Sequence, residues 1–285
     1  MIRRHTAQAA TGTAHFLGEG PVWDPARQRL LWVDIMAGDV HEGRLADGRI
    51  EPVRTWSFEQ SVGAVAVAAD GDLLVAERET LTRVRADGSR APLVRVLPEG
   101  SPGRLNDGAV DPSGRFLVGS LGTGREVLVR FEGGGCTTID DDLTLSNGLA
   151  WSPAGDRFYS VDTLTRTVYV RDYPAGERSV LFTVGDGHPD GLCVDAAGNL
   201  WLAIWGGGRV ECRTPAGELV AMVEVDAPNT SSVAFAGPDL DVLVITTATQ
   251  DMSAADLAAQ PLSGRLFTAH VGVPGLLPAY WDPGL

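Results

Sequence analysis

GLAWSPAGDRFYSVD, residues 148–162, reads as a short apolar strand, a Ser-Pro turn and a second strand returning beside the first. The phrase recurs as GPVWDPARQRLLWVD (20–34), VAVAADGDLLVA (65–76), DGAVDPSGRFLVGS (107–120), GLCVDAAGNLWLAI (191–204) and VAFAGPDLDVLVIT (233–246). Its opening segments are small and β-branched, too short and too closely bounded by glycine for a helix. Pro, Gly and Asp in the following turns supply the dihedral angles that a tight reversal needs. Counting back five residues from Asp24, Ala68, Asp111, Ser152, Asp195 and Ala236 lands on Glu19, Gly63, Asn106, Asn147, Asp190 and Ser231, spaced 41 to 44 residues apart. A period of about 40–45 residues made of short strands is the signature of a propeller with one four-stranded blade per unit. The sequence therefore predicts an all-β, six-bladed β-propeller over residues 1–285, with blades starting near 19, 63, 106, 147, 190 and 231. In such a ring the six named residues open the innermost strands and surround one mouth of the central channel.

Each second strand returns antiparallel, so its last residue is expected at the same face as the ring; these residues include Asp34, Asp162 and Trp205. Third strands are visible at 167–171 and 208–213. The last unit lacks a fourth strand, and residues 11–16 are the expected donor, pairing with 265–271 to close the ring and remove its open edge. One short helix is expected at 253–260.

Composition narrows the function. A formal charge of −14 with no basic cluster argues against nucleic acid and against an anionic membrane surface. All 23 basic residues are Arg, which removes Schiff-base chemistry, Lys-activated nucleophiles and the phosphate-loop lysine. Cys136, Cys193 and Cys212 are odd in number and widely spaced, so neither a disulfide framework nor a zinc knuckle is indicated. No apolar stretch follows the two arginines at the start, and none approaches the ~18 residues of a membrane span, which makes a reducing cytoplasm the expected address. There is no G-x-S-x-G, and His41-Glu42 has no second His four residues on.

What the repeat does assemble is oxygen. A glutamate, two asparagines, an aspartate and a serine at one mouth form a sulfur-free set of the kind that hard divalent cations accept. Asn147-Gly148 and Asp190-Gly191 are also hairpin signals, but turn chemistry alone does not require metal-type oxygens at equivalent points of successive repeats. His188, two residues before Asp190, stands where it could contact a substrate, or else be an ordinary hydrogen-bonded loop residue. Trp205, before three glycines, reads either as a wall for a ligand or as blade packing.

At Gly18-Glu19-Gly20-Pro21, Arg104-Leu105-Asn106-Asp107-Gly108, Ser146-Asn147-Gly148-Leu149 and Pro189-Asp190-Gly191 the chain resembles the family of senescence marker protein 30 (regucalcin), gluconolactonase and luciferin-regenerating enzyme. The likeness runs over residues 12–272. It is nearest to bacterial sugar-acid lactonases at Asp162-Thr163-Leu164, Leu200-Trp201, Trp205-Gly206-Gly207 and Ala227-Pro228-Asn229-Thr230. It implies one divalent metal ion (Ca, Zn, Mg, Mn or Fe) held by Glu19, Asn147 and Asp190, with Arg104 and Asn106 on the substrate side. A second family carboxylate that contacts substrate has no clear counterpart here; Glu126 is its nearest stand-in. The implied activity is hydrolysis of a sugar lactone, with Asp190 as metal ligand and base. A metal-dependent aryl esterase or phosphotriesterase and a non-catalytic Ca-binding propeller are the alternatives.

Overall fold

A computed structural model describes residues 2–285 of the chain. Six sheets stand in a ring, each built on consecutive antiparallel strands, and two of them take in a further strand from the start of the chain. The innermost strands are Gly18–Asp24, Val62–Val67, Arg104–Val110, Ser146–Trp151, His188–Val194 and Thr230–Ala236. Each touches the innermost strand of the next blade, and the sixth touches the first, which closes a six-bladed β-propeller.

The second strands show why the sequence takes this form. Arg29–Asp34 (RLLWVD) is apolar at nearly every position because both of its faces are covered. Side chains alternate across a strand, so Leu30 and Trp32 pack toward blade 6 while Leu31 and Val33 pack toward blade 2. All six hydrophobic clusters are of this kind, each filling the wedge between two neighbouring blades. Trp32 and Trp201 are fully buried, with indole N–H groups answered by His15 Nε2 at 3.0 Å and Asp195 Oδ2 at 2.9 Å.

Every innermost strand carries a one-residue bulge at the same place. Pairing with the second strand slips between Glu19 and Val22, Val62 and Ala64, Leu105 and Gly108, Asn147 and Leu149, Pro189 and Leu192, and Thr230 and Ser232. A bulge breaks the strict alternation of side chains, so neighbours in sequence can both be aimed at the hub. These six bulges fall at the positions selected by the repeat.

Ring closure differs from expectation in register. Gln8–Ala9, not residues 11–16, supplies the fourth strand of blade 6, pairing with Phe267–His270. The segment leaves blade 6 just beyond this point because Ala10 O is captured by Ile50 N of blade 1 at 2.9 Å. From there the Thr11 hydroxyl meets Leu266 N at 3.1 Å, His15 N returns to Gly264 O at 2.7 Å, and Phe16 O accepts from Thr249 N at 3.0 Å. A further strand, Arg3–Thr6, lies parallel to Leu219–Glu224 and makes blade 5 five-stranded.

The helix Ala254–Ala259 is present and is capped by Ser253, whose hydroxyl accepts from Asp256 N while Asp256 reaches back. Among the described residues no helix is long and apolar enough to cross a membrane.

Beyond blade 6 the chain crosses the face opposite the bulges. Ala196 N donates to Pro274 O, Gly275 N to Leu240 O, Trp281 N to Val67 O and Asp282 N to Gly114 O. Leu276, Leu277, Pro278 and Ala279 border a channel cavity of about 520 Å³ whose other walls are mostly the innermost strands. Through these bonds the strap links four of the blades across the far mouth.

Candidate active site

Arg104, Asn106, Asn147 and Thr163 form one directed chain of hydrogen bonds. Arg104 Nη1 donates to Asn106 Oδ1 at 2.6 Å; Asn106 Nδ2 donates to Ser146 O at 2.9 Å and to Asn147 Oδ1 at 2.8 Å. Asn147 Nδ2 donates to Thr163 Oγ1 at 2.9 Å, and that hydroxyl donates to Pro189 O at 2.8 Å. Both ends fix the direction, since a guanidinium can only donate and a backbone carbonyl can only accept. Neither amide can flip without losing bonds. Asn147 Oδ1 therefore keeps one lone pair for a further partner.

Asp190 and Glu19 face the same space. Both are buried, and the Asn147 amide lies against the Asp190 carboxylate and favours its charged form. Burial pushes Glu19 up to about 8, helped by the charge of Asp107 and opposed by the Gly20 N–H and Arg104. Asp190 is held well above the usual carboxylate range by burial, then by Glu19 and Asp107. Burial lowers Arg104 to about 10 against the pull of Glu19 and Asp190. Two acids, Glu19 and Asp190, thus share one half-buried guanidinium, and among the described residues Asp190 Oδ1 has no hydrogen-bond donor. A buried carboxylate oxygen without a partner is costly unless a positive group meets it.

These observations fit a hard cation. Glu19, Asn147 and Asp190 are an oxygen-only donor set with an orphaned carboxylate oxygen and an oriented amide oxygen. Among the described residues no three His, Cys, Asp or Glu side chains converge as a metal cluster, so such a site has to include the amide.

Other expected residues are placed differently. Ser231 turns away from the hub, donating to Gly18 O at 2.6 Å and so tying blade 6 to blade 1. Gly63 is there for packing, because a Cβ would stand 2.5 Å from Asn106 O. Asp34 and Asp162 reach the right face, but their carboxylates receive the backbone N–H groups of Phe16 and Leu17, and of Thr144 and Leu145. His188 and Trp205 are register partners at the rim of blade 5; His188 Nδ1 is 3.4 Å from Thr163 O, and Trp205 packs at the edge of the cluster holding Leu17 and Ala248. Glu126 is spent on its own loop, accepting from Ser120 Oγ, Thr123 N, Thr123 Oγ1 and Gly124 N.

Two participants escape the repeat-based reading. Asp107 is a third carboxylate at the hub, raised to about 6 by burial. It follows Asn106 directly, and only the bulge lets both contribute. Thr163 begins the turn after the second strand of blade 4, outside the repeat positions, and its role appears only through its hydrogen bonds. Two cavities approach the cluster: the far channel reaches Gly20 and Asp107, and a second, of about 900 Å³, is bordered by Arg104 at the near mouth.

A six-bladed propeller with a buried acid–amide cluster at its hub defines a class of protein, and sequence comparison narrows it. The chain belongs to the family described as SMP-30/gluconolactonase/LRE-like, whose model matches residues 17–249. It is 35% identical over 286 residues to pentonolactonase XacC of Haloferax volcanii, covering 95% of this chain and 96% of that protein. It is 36% identical over 276 residues to 6-deoxy-6-sulfogluconolactonase of Pseudomonas putida, covering 91% and 92%. Among solved structures, a calcium-binding protein, regucalcin, from Agrobacterium tumefaciens superposes with a TM-score of 0.93 at 27% identity over 99% of each chain. The similarity to lactonases supports lactone hydrolysis as the activity.

Proposed function

We propose that the protein opens the lactone ring of a sugar acid and depends on one divalent cation held by Glu19, Asn147 and Asp190. The observation that carries this reading is the buried, unpartnered Asp190 Oδ1 beside a locked amide oxygen, in a chain similar to lactonases along nearly its whole length. When bound, the cation supplies Lewis acidity toward the lactone carbonyl. The chain's own groups do the rest. Asp190 takes the proton of the attacking water as the water oxygen bonds to the carbonyl carbon. The ring C–O bond then breaks, and that proton passes to the leaving alkoxide. Arg104 keeps N–H groups free beyond its bonds to Leu105 O and Asn106 Oδ1, and orients the ring oxygens. Both Asn106 amide protons are committed, so toward substrate it offers a lone pair on Oδ1 to a hydroxyl. His188 and Trp205 form the rim wall of the ligand space.

The partner is a small-molecule sugar lactone. The three free cysteines accord with a reducing cytoplasm. The test is pH-stat turnover of a panel of sugar lactones by metal-stripped protein, with Ca, Mg, Mn, Zn and Fe restored in turn, alongside Asp190→Asn. Full activity in Asp190→Asn, or turnover indifferent to metal stripping, would remove the mechanism. The Agrobacterium neighbour, described as calcium-binding, favours a second reading as a non-catalytic Ca-binding propeller. Cation binding with no hydrolysis of any lactone, aryl ester or phosphotriester would select it; turnover of the last two alone would mark an esterase or phosphotriesterase.

A further inference from the structure

The near-mouth cavity of about 900 Å³ is at the upper end of small-molecule pockets, which run to about 1,000 Å³. Arg104 borders it on one side and Arg78 on another. The two backbones are neighbours, with Leu105 N donating to Arg78 O at 2.7 Å. Arg78 Nη2 is held by neutral acceptors, Ser101 O at 2.8 Å and Pro102 O at 3.4 Å, in the loop that leads into Arg104. Its nearest carboxylate oxygen is Glu79 Oε1 at 3.9 Å, and the other oxygen of Glu79 is already taken by Arg95 Nη1 at 2.6 Å. Other guanidinium groups bond an acid directly, as at Arg115–Asp111 (2.7 Å) and Arg213–Glu211 (2.7 Å). Arg78 is thus fixed in place and 40% exposed, and among the described residues no carboxylate stands within direct hydrogen-bond distance of it. The cavity walls carry three guanidinium groups, Arg78, Arg95 and Arg104, and three acids, Glu59, Glu79 and Glu99, of which Glu79 is bonded directly by Arg95.

Resting on the lactonase reading, we infer that this cavity receives an anionic substituent of the substrate, with Arg78 as the specificity-determining residue that pairs with it. The preferred substrates are lactones of sugar acids that carry a negative group away from the ring ester. Arg104 stays with the ring end, and Arg78 takes the far end. A fixed guanidinium reads a sulfonate, a phosphate ester or a carboxylate through the same charge-assisted bonds.

The experiment compares kcat and KM of wild type and Arg78→Gln on glucono-1,5-lactone and on its 6-phosphate and 6-sulfonate derivatives. Thermal melts check that the variant is folded, and Arg78→Lys asks whether charge alone suffices. The expected result is a loss of about tenfold in kcat/KM, carried by KM, on the anionic lactones only, with the uncharged lactone changed less than about twofold. The two anionic arms tell a phosphate ester from a sulfonate. Equal losses on charged and uncharged lactones, or no preference for either anionic lactone in the wild type, overturn the inference. If no lactone is hydrolysed, the lactonase reading fails by itself, and calorimetric binding of 6-phosphogluconate then decides: binding lost in Arg78→Gln upholds the pocket, and no binding to wild type overturns it.

Discussion

Replacing Glu19 by Gln in cation-free protein isolates the electrostatics of the hub. Glu19 binds its proton up to about pH 8 in the folded protein, against an ordinary 4.5. Between those values the folded state holds a proton that the unfolded state has released, so stability falls as pH rises. At ~1.4 kcal/mol per tenfold, the loss between pH 5 and pH 8 is about 4 kcal/mol. For a chain of this size that is on the order of 7 °C in Tm. Gln mimics the protonated acid at every pH, so wild type and variant should match near pH 4.5, and the variant should be the more stable by about 4 kcal/mol at pH 8. Urea unfolding from pH 4.5 to 8.5 in chelator measures this difference, and the acids remote from the hub, common to both proteins, cancel. Added Ca2+ should reverse the order at pH 8, stabilising wild type and leaving the variant nearly unmoved. Parallel pH profiles for the two proteins in chelator would refute the idea that Glu19 shares a buried space with Asp107 and Asp190.

Thr163→Val keeps the side-chain shape but frees the Asn147 amide and strands Pro189 O; cation affinity measured by calorimetry should fall about 10–100-fold. Gly63→Ala sets a Cβ 2.5 Å from Asn106 O and 2.6 Å from Leu105 O, both backbone atoms, so it should destabilise by roughly 1–3 kcal/mol in urea and lower kcat through Asn106. Trp281→Ala empties a site that is 3% exposed in the blade 2–3 wedge; it should cost about 3–5 kcal/mol while the hub, at the other end of the channel, keeps its cation affinity.

The ring was legible because each blade repeats one phrase whose turns and doubly covered strands leave a mark in residue type. Arg3–Thr6 left none: RRHT on an outer edge has no buried alternation to betray a strand. The donor strand was misplaced by a few residues because its register is decided by Ile50, far away in sequence, capturing Ala10 O. At the hub, Glu19, Asn106, Asn147 and Asp190 could be found by counting, as all sit at one phase of the repeat. Asp107 could not, since period-two reasoning sends it to the opposite face and only the bulge brings it back. Ser231 shows the reverse limit: repeat phase gave its position, but the local contact with Gly18 O decided where its hydroxyl went.

The edge contributed by Arg3–Thr6 and Gln8–Ala9 has a consequence for synthesis. Their partners, Leu219–Glu224 and Phe267–His270, lie more than two hundred residues downstream. At ~5–20 residues per second, the ribosome delivers those partners on the order of ten to fifty seconds later. During that wait the early strands carry unpaired backbone groups in a crowded cell. Arg3 and Arg4 place charge on the first of these strands, the kind of residue that discourages pairing with strangers until blade 5 arrives.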